Sequence, residues 1–232
     1  MKYSVHTIYK NSAGVRVCAV TTFLGVLAKP PVIHWAWEQG ILGLDYRKVR
    51  DAASDTGTLT HYLIMNELAE RDVRQELIDE YGKEAVDSTN IPMKKWHDWQ
   101  KQHKLVPILV ETPMVSEKYQ VGGCPDFYGL VDGIPTLLDF KTGKNVYLEA
   151  FYQTAAYKEM IEEKGGLICL DGEWETRDWN YPIDSVKILR FGKTEDEGFE
   201  EREVTNLDKH FKLFRCCQQI YNLQRELKGD TF

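Results

Sequence analysis

The fold of this 232-residue chain is decided by the stretch Ile134-Pro135-Thr136-Leu137-Leu138-Asp139-Phe140-Lys141. Its apolar first half predicts a β-strand, and the side chains of a strand alternate between the two faces of a sheet. We therefore expect Asp139 and Lys141 to project together from one edge of the sheet. A second acid, Asp126, stands upstream at the start of another apolar run. Two carboxylates and an amine in one place are typical of a site that holds a divalent metal ion and activates water.

The segments on either side of this strand predict a hairpin and a helix. Asp132-Gly133 separates two apolar runs, and this dipeptide favours the tight turn of a β-hairpin. After a turn at residues 142–145, residues 146–164 predict a helix that carries Gln153 and Tyr157 four positions apart on one face. Further strands are predicted over residues 106–115, 119–131, 167–171 and 184–191.

The overall pattern predicts a mixed α/β fold in a single domain of residues 1–232, with a central mixed sheet flanked by helices. We expect residues 1–104 to be mostly helical after a short strand or arm at residues 1–12. Residues 105–192 would form the catalytic sheet core, and residues 205–228 a C-terminal helix. In the first part, separate helices are expected over residues 45–54 and 59–68, with Asp55 or Thr56 capping the second.

Composition excludes some classes of protein. The net charge is −7, which argues against a protein that simply coats DNA, although a local basic groove remains compatible with it. The N-terminal sequence lacks the apolar segment of a signal peptide, and no apolar run approaches the roughly 20 residues of a membrane span. We therefore expect a cytoplasmic protein that makes no membrane contact.

The five cysteines do not follow the spacing of a metal-binding motif. No C-x-x-C pair occurs, and Cys216 and Cys217 are adjacent, so they would point to different sides of a helix. The sequence therefore indicates reduced thiols of an intracellular protein. No glycine-rich or Gly-Lys-Ser/Thr phosphate loop is present, which argues against helicase activity in this chain.

Several short motifs occur in an order that resembles the PD-(D/E)XK nuclease superfamily, specifically its RecB-like exonuclease branch. The stretch at residues 19–27, followed by Lys29-Pro30 and Trp35-Ala36, is similar to phage and archaeal members of that branch. The resemblance covers roughly residues 15–190 and implies a restriction-endonuclease-like core with an N-terminal helical elaboration. The motifs that carry it are Gly57-x-x-x-His61, Pro125-Asp126, Asp139-Phe140-Lys141-Thr142-Gly143 and Gln153-x-x-x-Tyr157.

The resemblance implies a role for each matching residue. Mg²⁺ or Mn²⁺ would be held by His61, by the carboxylates of Asp126 and Asp139, and by the backbone carbonyl of Phe140. Lys141 would orient the attacking water and stabilise charge that develops on the phosphate. The predicted catalytic set is Asp126, Asp139, Lys141, Gln153 and Tyr157, the last two positioning the lysine or the substrate. Relatives that carry an iron–sulfur cluster use four cysteines with a spacing that this chain lacks, so we expect no cluster.

Each of these residues also has an ordinary structural interpretation. His61 alone would more often be a buried helix histidine, Asp126 a turn residue, and the Asp139–Lys141 pair a solvated ion pair worth under roughly 1 kcal/mol. Glu111, on the strand before Asp126, is either a supporting carboxylate at the metal or an exposed strand residue.

The tryptophans and lysines of the N-terminal half leave similar alternatives. Trp35, Trp37, Trp96 and Trp99 could stack on bases of a single strand, although core packing is the commoner role of any one tryptophan. The lysines could contact phosphates, although a solvated helix face is the default; they are Lys94, Lys95, Lys101 and Lys104.

Together these features predict a metal-dependent DNA exonuclease that acts on single-stranded or frayed ends in phage or prokaryotic replication, recombination or repair. A replication or recombination protein is a possible partner. Two alternatives stay open: a structure-specific endonuclease on the same core, and a non-catalytic DNA-binding scaffold. The polarity of digestion, a preference for DNA over RNA and the oligomeric state are not determined by the sequence.

Overall fold

The computed structural model of the protein describes residues 7–178 and 180–229, so the predicted arm at residues 1–12 lies partly outside the described residues. The helices are α1 (Val20–Leu24), α2 (Pro30–Ile41), α3 (Tyr46–Leu68), α4 (Arg74–Tyr81), α5 (Lys83–Asp87), α6 (Asn90–Gln100), α7 (Leu148–Glu162) and α8 (Asp208–Leu227). The strands are β1 (Cys18–Ala19), β2 (Leu105–Val110), β3 (Met114–Ser116), β4 (Val121–Gly123), β5 (Phe127–Val131), β6 (Ile134–Lys141), β7 (Leu167–Leu170), β8 (Glu173–Thr176), β9 (Ser185–Phe191) and β10 (Phe199–Val204).

The fold is mixed α/β, as predicted, but its strands form two sheets rather than one central sheet. Sheet I has the order β10-β9-β6-β5-β2, and sheet II has the order β1-β4-β3-β7-β8. Each sheet is mixed, because β6 and β9 run parallel in sheet I and β1 and β4 run parallel in sheet II. The remaining pairs are antiparallel.

The division into two sheets follows from two strand breaks. The predicted strand over residues 106–115 is split into β2 and β3, with Pro113 between them, and the one over 119–131 is split into β4 and β5, with Pro125 between them. Proline has no N–H to donate to a ladder, which favours an interruption of the strand at these two positions. At each break the chain passes from one sheet to the other. The two passages lie side by side, since the Glu111 N–H donates to the Asp126 carbonyl at 2.9 Å.

The predicted hairpin is present between β5 and β6. Asp132 and Gly133 both have positive φ angles, 53° and 85°, which is the backbone that a two-residue hairpin turn with the right twist requires. The register pairs Phe127 with Leu138, so Asp126 lies beside the end of β6.

Sheet I separates two hydrophobic clusters. Along β6 the side chains alternate as expected: Leu137 belongs to the cluster with α1, α7 and α8, and Leu138 to the cluster with α3 and α6. Both leucines are fully buried. This alternation leaves Asp139 and Lys141 on the face of sheet I that α7 covers.

Helix α3 is continuous from Tyr46 to Leu68, so the expectation of two helices with a cap at Asp55 or Thr56 was wrong. The Thr56 hydroxyl donates to the Ala52 carbonyl within the helix. Gly57 lies inside this helix at a point where the helix packs closely against Thr142. A Cβ atom at residue 57 would lie 2.8 Å from Oγ1 of Thr142. The glycine therefore lets α3 run close to the turn that follows β6, and His61 lies one turn further along.

Two smaller differences concern the second half of the chain. Strand β8, which has exposed residues throughout, was not predicted, and α7 begins at Leu148 rather than at residue 146. Among the described residues, no helix is both long enough and apolar enough to cross a membrane.

Candidate metal centre

Asp126 and Asp139 lie next to each other in the fold, as the sequence predicted. Oδ2 of Asp126 accepts a hydrogen bond from the backbone N–H of Phe140 at 2.6 Å. The Asp126 carboxylate is thus bonded to the peptide that follows Asp139, across the β5–β6 pair.

Three side chains from three different elements converge at this point. His61 comes from α3, Glu111 from the end of β2, and Asp126 from the break before β5. One potential ligand atom from each lies within 4.8 Å of the other two, and all three residues are partly exposed. Nδ1 of His61 is 3.7 Å from Oδ1 of Asp126. Two carboxylates and an imidazole are a donor set that Mg²⁺ and Mn²⁺ accept.

Glu111 was left out of the predicted site residues, and the structure brings it into the cluster. Its φ angle is 40°, a left-handed conformation that non-glycine residues seldom adopt and that often marks a functional position. The sequence signal for this geometry was weak. Only the Thr112-Pro113 that follows indicates that the strand ends at Glu111 and that its side chain leaves the regular alternation.

Asp139 and Lys141 form a buried ion pair beside this cluster. Asp139 is 1% exposed, and its Oδ2 lies 2.6 Å from Nζ of Lys141. The contact is an ion pair without hydrogen-bond geometry, since neither Asp139 carboxylate oxygen has a hydrogen-bond partner among the described residues. The alternative interpretation, a solvated ion pair, is therefore excluded, because the Asp139 carboxylate is shielded from water.

Burial and neighbouring charges shift the pKa of both members of the pair. The pKa of Asp139 is raised to about 6, chiefly by burial; the charge of Lys141 opposes this rise and the charge of Asp126 adds to it. For Lys141, burial alone would lower the pKa, but the carboxylates of Asp139 and Asp126 outweigh it and the pKa is raised. Lys141 is therefore held in its charged form.

Gln153 and Tyr157 extend the pair into a hydrogen-bonded chain on α7. Nζ of Lys141 donates to Oε1 of Gln153 at 3.3 Å, and Nε2 of Gln153 donates to the Tyr157 hydroxyl at 3.0 Å. Tyr157 is 5% exposed, and burial raises its pKa well above the usual value. Its ring packs on Gly123, where a Cβ would lie 2.5 Å from the ring. The lysine head is thus held from α7 as well as from β6.

Phe140 has a structural role in addition to its backbone contact. Its side chain is 3% exposed and points away from Asp139 into the cluster beneath α3 and α6. The ring lies edge-on to His61 at 6.0 Å and to Trp96 at 5.5 Å. The predicted metal ligand, its carbonyl, stays a prediction.

A cleft of about 490 Å³ adjoins the lysine. Lys141 and Gln153 line it together with Lys29, with Val32 of α2 and with Tyr147 at the start of α7. The cleft therefore lies between Lys141 of the candidate centre and the exposed helix α2.

The four tryptophans divide between core and surface. Trp96 and Trp99 are buried, as the default interpretation predicted, whereas Trp35 is half-buried and Trp37 is 62% exposed.

Three lysines on α6 or just after it make intramolecular contacts. Lys94 pairs with Glu195, with 3.8 Å between Nζ and Oε1. Lys95 donates to the carbonyls of Gly192 and Thr194, and Lys101 pairs with Asp98. Lys94 and Lys101 are largely exposed, in agreement with a solvated helix face.

Cys124 lies beside the centre, and burial together with the charges of Glu111 and Asp126 raises the pKa of its thiol. The cysteines are free thiols.

No family model matches the chain, and no curated protein matches it either.

Proposed function

We propose that the protein is a metal-dependent deoxyribonuclease with a restriction-endonuclease-like core, of the RecB-like branch of the PD-(D/E)XK superfamily. One observation carries the proposal. The Asp126 carboxylate accepts a hydrogen bond from the peptide N–H between Asp139 and Phe140, and it lies within 4.8 Å of potential ligand atoms of His61 and Glu111. A structural ion pair would not require an imidazole and a second carboxylate at the same point.

The residues present fit a divalent cation. His61, Glu111 and Asp126 would hold it, and the buried Asp139 carboxylate, whose oxygens have no hydrogen-bond partner among the described residues, is suited to contribute as well. A bound Mg²⁺ or Mn²⁺ would neutralise phosphodiester charge and lower the pKa of its water.

Lys141 acts on the phosphate in this proposal. The two aspartates keep its amine charged, and Gln153, itself bonded to Tyr157, holds the amine towards the cleft. A preorganised cation at this position stabilises negative charge that develops on phosphate oxygens, without reorganisation during the reaction.

The surroundings of the cleft support a single-stranded or frayed end as substrate. Lys29 lines the cleft and supplies a positive charge for the strand, and the first turn of α2 lines it through Val32. Further along the same helix, the aromatic side chain of Trp37 is exposed. Exposed aromatic rings stack on unpaired bases of any sequence, whereas a duplex keeps its bases inside.

Cleavage of end-labelled single strands, duplexes and single-stranded circles tests the proposal. Each substrate would be incubated with Mg²⁺, Mn²⁺ or a chelator. We expect metal-dependent cleavage of linear single strands, and loss of at least about 100-fold in Asp126→Asn and Lys141→Ala. The matched controls, Asp98→Asn and Lys101→Ala on the exposed face of α6, should cleave as the wild type does.

The same assay separates the alternatives. Cutting of circles would favour a structure-specific endonuclease on the same residues. Absence of cleavage with every metal and substrate, in a protein that still binds DNA, would contradict the nuclease and favour a scaffold. Mn²⁺ binding followed by calorimetry should weaken in Glu111→Gln as well as in Asp126→Asn, which tests the ligand set without an activity readout.

A further inference from the structure

A second large cavity lies apart from the candidate metal centre, at the open edge of sheet II. Its volume is about 690 Å³, and its walls come from residues 7–9, from β1 and the start of α1, and from the last turns of α8. No residue of the candidate centre or of the cleft beside Lys141 lines it. It is therefore a separate site rather than an extension of the first.

The cavity is positive in a chain whose net charge is −7. Arg16 and Arg225 line it, and no carboxylate does among the described residues. The hydroxyl groups of Thr21, Thr22 and Tyr221 are further lining groups that can donate hydrogen bonds. Two guanidinium groups and several hydroxyls around one space favour an anion with several acceptor oxygens.

One side of the cavity is held rigidly by the core. Phe23 is 3% exposed, and its ring meets the Tyr221 ring edge-on at 5.3 Å and 86°. The Arg225 guanidinium lies 5.7 Å from the centre of the Tyr221 ring, and the Cys18 thiol is 3.8 Å from the Tyr221 hydroxyl. Arg225 is thus positioned by an aromatic ring that is itself fixed by packing.

The rest of the lining is apolar. Ile8 is 59% exposed and borders the cavity beside the buried side chains of Tyr9 and Val17. A ligand that has an anionic group and an apolar or aromatic part would satisfy both halves of this surface.

We propose that this cavity binds a phosphate group carried by a nucleotide or by a nucleic-acid strand, with Arg16 and Arg225 as its cationic contacts. Guanidinium groups bind phosphate oxygens in a bidentate manner, and a phosphate has more acceptor oxygens than a carboxylate, so it can contact both arginines and the hydroxyl groups together. The volume is within the range of small-molecule sites, about 300–1,000 Å³. This inference does not depend on the nuclease proposal, because no residue is shared.

Calorimetric titration of the full chain tests the inference, with a chelator present so that the candidate metal centre does not contribute. The ligands are inorganic phosphate, thymidine 5′-monophosphate and a short oligothymidylate. Arg16→Gln and Arg225→Lys should each weaken binding by about fivefold or more. Arg16→Gln removes a positive charge, and Arg225→Lys keeps the charge but removes the planar guanidinium group. Arg47→Gln, a matched exposed arginine on α3 that does not line the cavity, should bind as the wild type does.

The relative affinities of the ligands and of the variants distinguish the outcomes. A monophosphate that binds more tightly than the oligonucleotide identifies a free nucleotide as the ligand. The reverse order, with the advantage of the oligonucleotide lost in Arg16→Gln, identifies a strand, because binding of the oligonucleotide at the cleft would not depend on Arg16. Arg16 is exposed, so Arg16→Gln keeps the test valid if Arg225→Lys alters the α8 packing. Absence of binding by the wild type, unchanged affinity in both cavity variants, or an equal loss in Arg47→Gln would overturn the proposal. Asp139→Asn should leave this binding intact even if it abolishes cleavage.

Discussion

Helices α2 and α6 have similar compositions but opposite environments. Each carries two tryptophans, and each has proline in its first turn, two residues in α2 and one in α6. In α6 both tryptophans are buried: Trp96 is fully buried, and Trp99 is 4% exposed. In α2 no residue is buried, and Trp37 is 62% exposed.

The spacing of the tryptophans explains part of this difference. Trp96 and Trp99 are three residues apart, so they share one face of α6, where their rings stack at 5.7 Å and 26°. Trp35 and Trp37 are two residues apart, which places them on different faces of α2. One contact surface cannot bury both, so an α2 buried against the core would still expose one indole.

The hydrogen bonds of α6 complete the comparison. The Trp96 indole donates to Glu67 of α3 at 3.1 Å, and the Trp99 indole donates to Glu201 of β10 at 2.7 Å. A buried indole N–H needs such a partner. Helix α6 is therefore a structural element, whereas the exposed α2 beside the cleft is suited to contact a ligand.

The largest expected effect is on stability. Trp96→Ala removes a fully buried ring that contacts Phe140 and Phe191, and should lower the free energy of unfolding by about 3–5 kcal/mol. Trp37→Ala should change it by no more than about 0.5 kcal/mol, because the side chain is exposed. Urea unfolding followed by circular dichroism measures both. Equal losses in the two variants would contradict the division between a structural and a ligand-binding helix.

A smaller effect is expected on DNA binding, and it rests on the proposed function. Trp37→Ala should weaken binding of a single-stranded oligonucleotide by about 5- to 150-fold, since stacking on one base contributes about 1–3 kcal/mol. Fluorescence anisotropy with a chelator present, which prevents cleavage, measures this. Trp37→Phe should retain most of the affinity because the aromatic face remains.

The control for that measurement is Tyr81→Ala, which removes another exposed aromatic side chain, on α4 rather than on α2, whose first turn lines the cleft. Its affinity should equal that of the wild type. If Trp37→Ala binds as tightly as this control, the exposed face of α2 does not contact the strand.

The candidate site was more predictable from the sequence than the burial of these helices. The proximity of Asp126 and Asp139 follows from local rules, namely strand alternation and the turn chemistry of Asp132-Gly133. The division into two sheets was missed because one strand was predicted across residues 106–115, although the strand is interrupted before Pro113. The continuity of α3 was missed because the reason for Gly57 is a contact with a turn distant in sequence. Contacts of this kind depend on the whole fold and leave no local pattern.

The smallest expected effect concerns the bond that ties α6 to sheet I. Burial would raise the pKa of Glu201, but hydrogen bonds from Lys187, at 2.6 Å, and from Trp99 outweigh it, and the pKa is lowered from 4.5. A lowered folded-state pKa means that the ionised carboxylate stabilises the fold above pH 4.5, and that this stabilisation is lost as the pH falls through the folded-state value.

Trp99→Phe keeps the aromatic ring but removes one of the two hydrogen bonds, so the pKa of Glu201 should move back towards 4.5. We expect a loss of about 0.5–1.5 kcal/mol at neutral pH, and a smaller difference from the wild type in acid, where Glu201 is protonated in both proteins. Urea midpoints at neutral and acidic pH measure this, with Glu201→Gln as the variant that removes the titration altogether. The two variants should lose pH dependence in the same direction, Glu201→Gln more than Trp99→Phe. A Trp99→Phe protein whose stability changes with pH as the wild type's does would show that Lys187 alone sets the Glu201 pKa, and that α6 is held to the sheet by packing rather than by this bond.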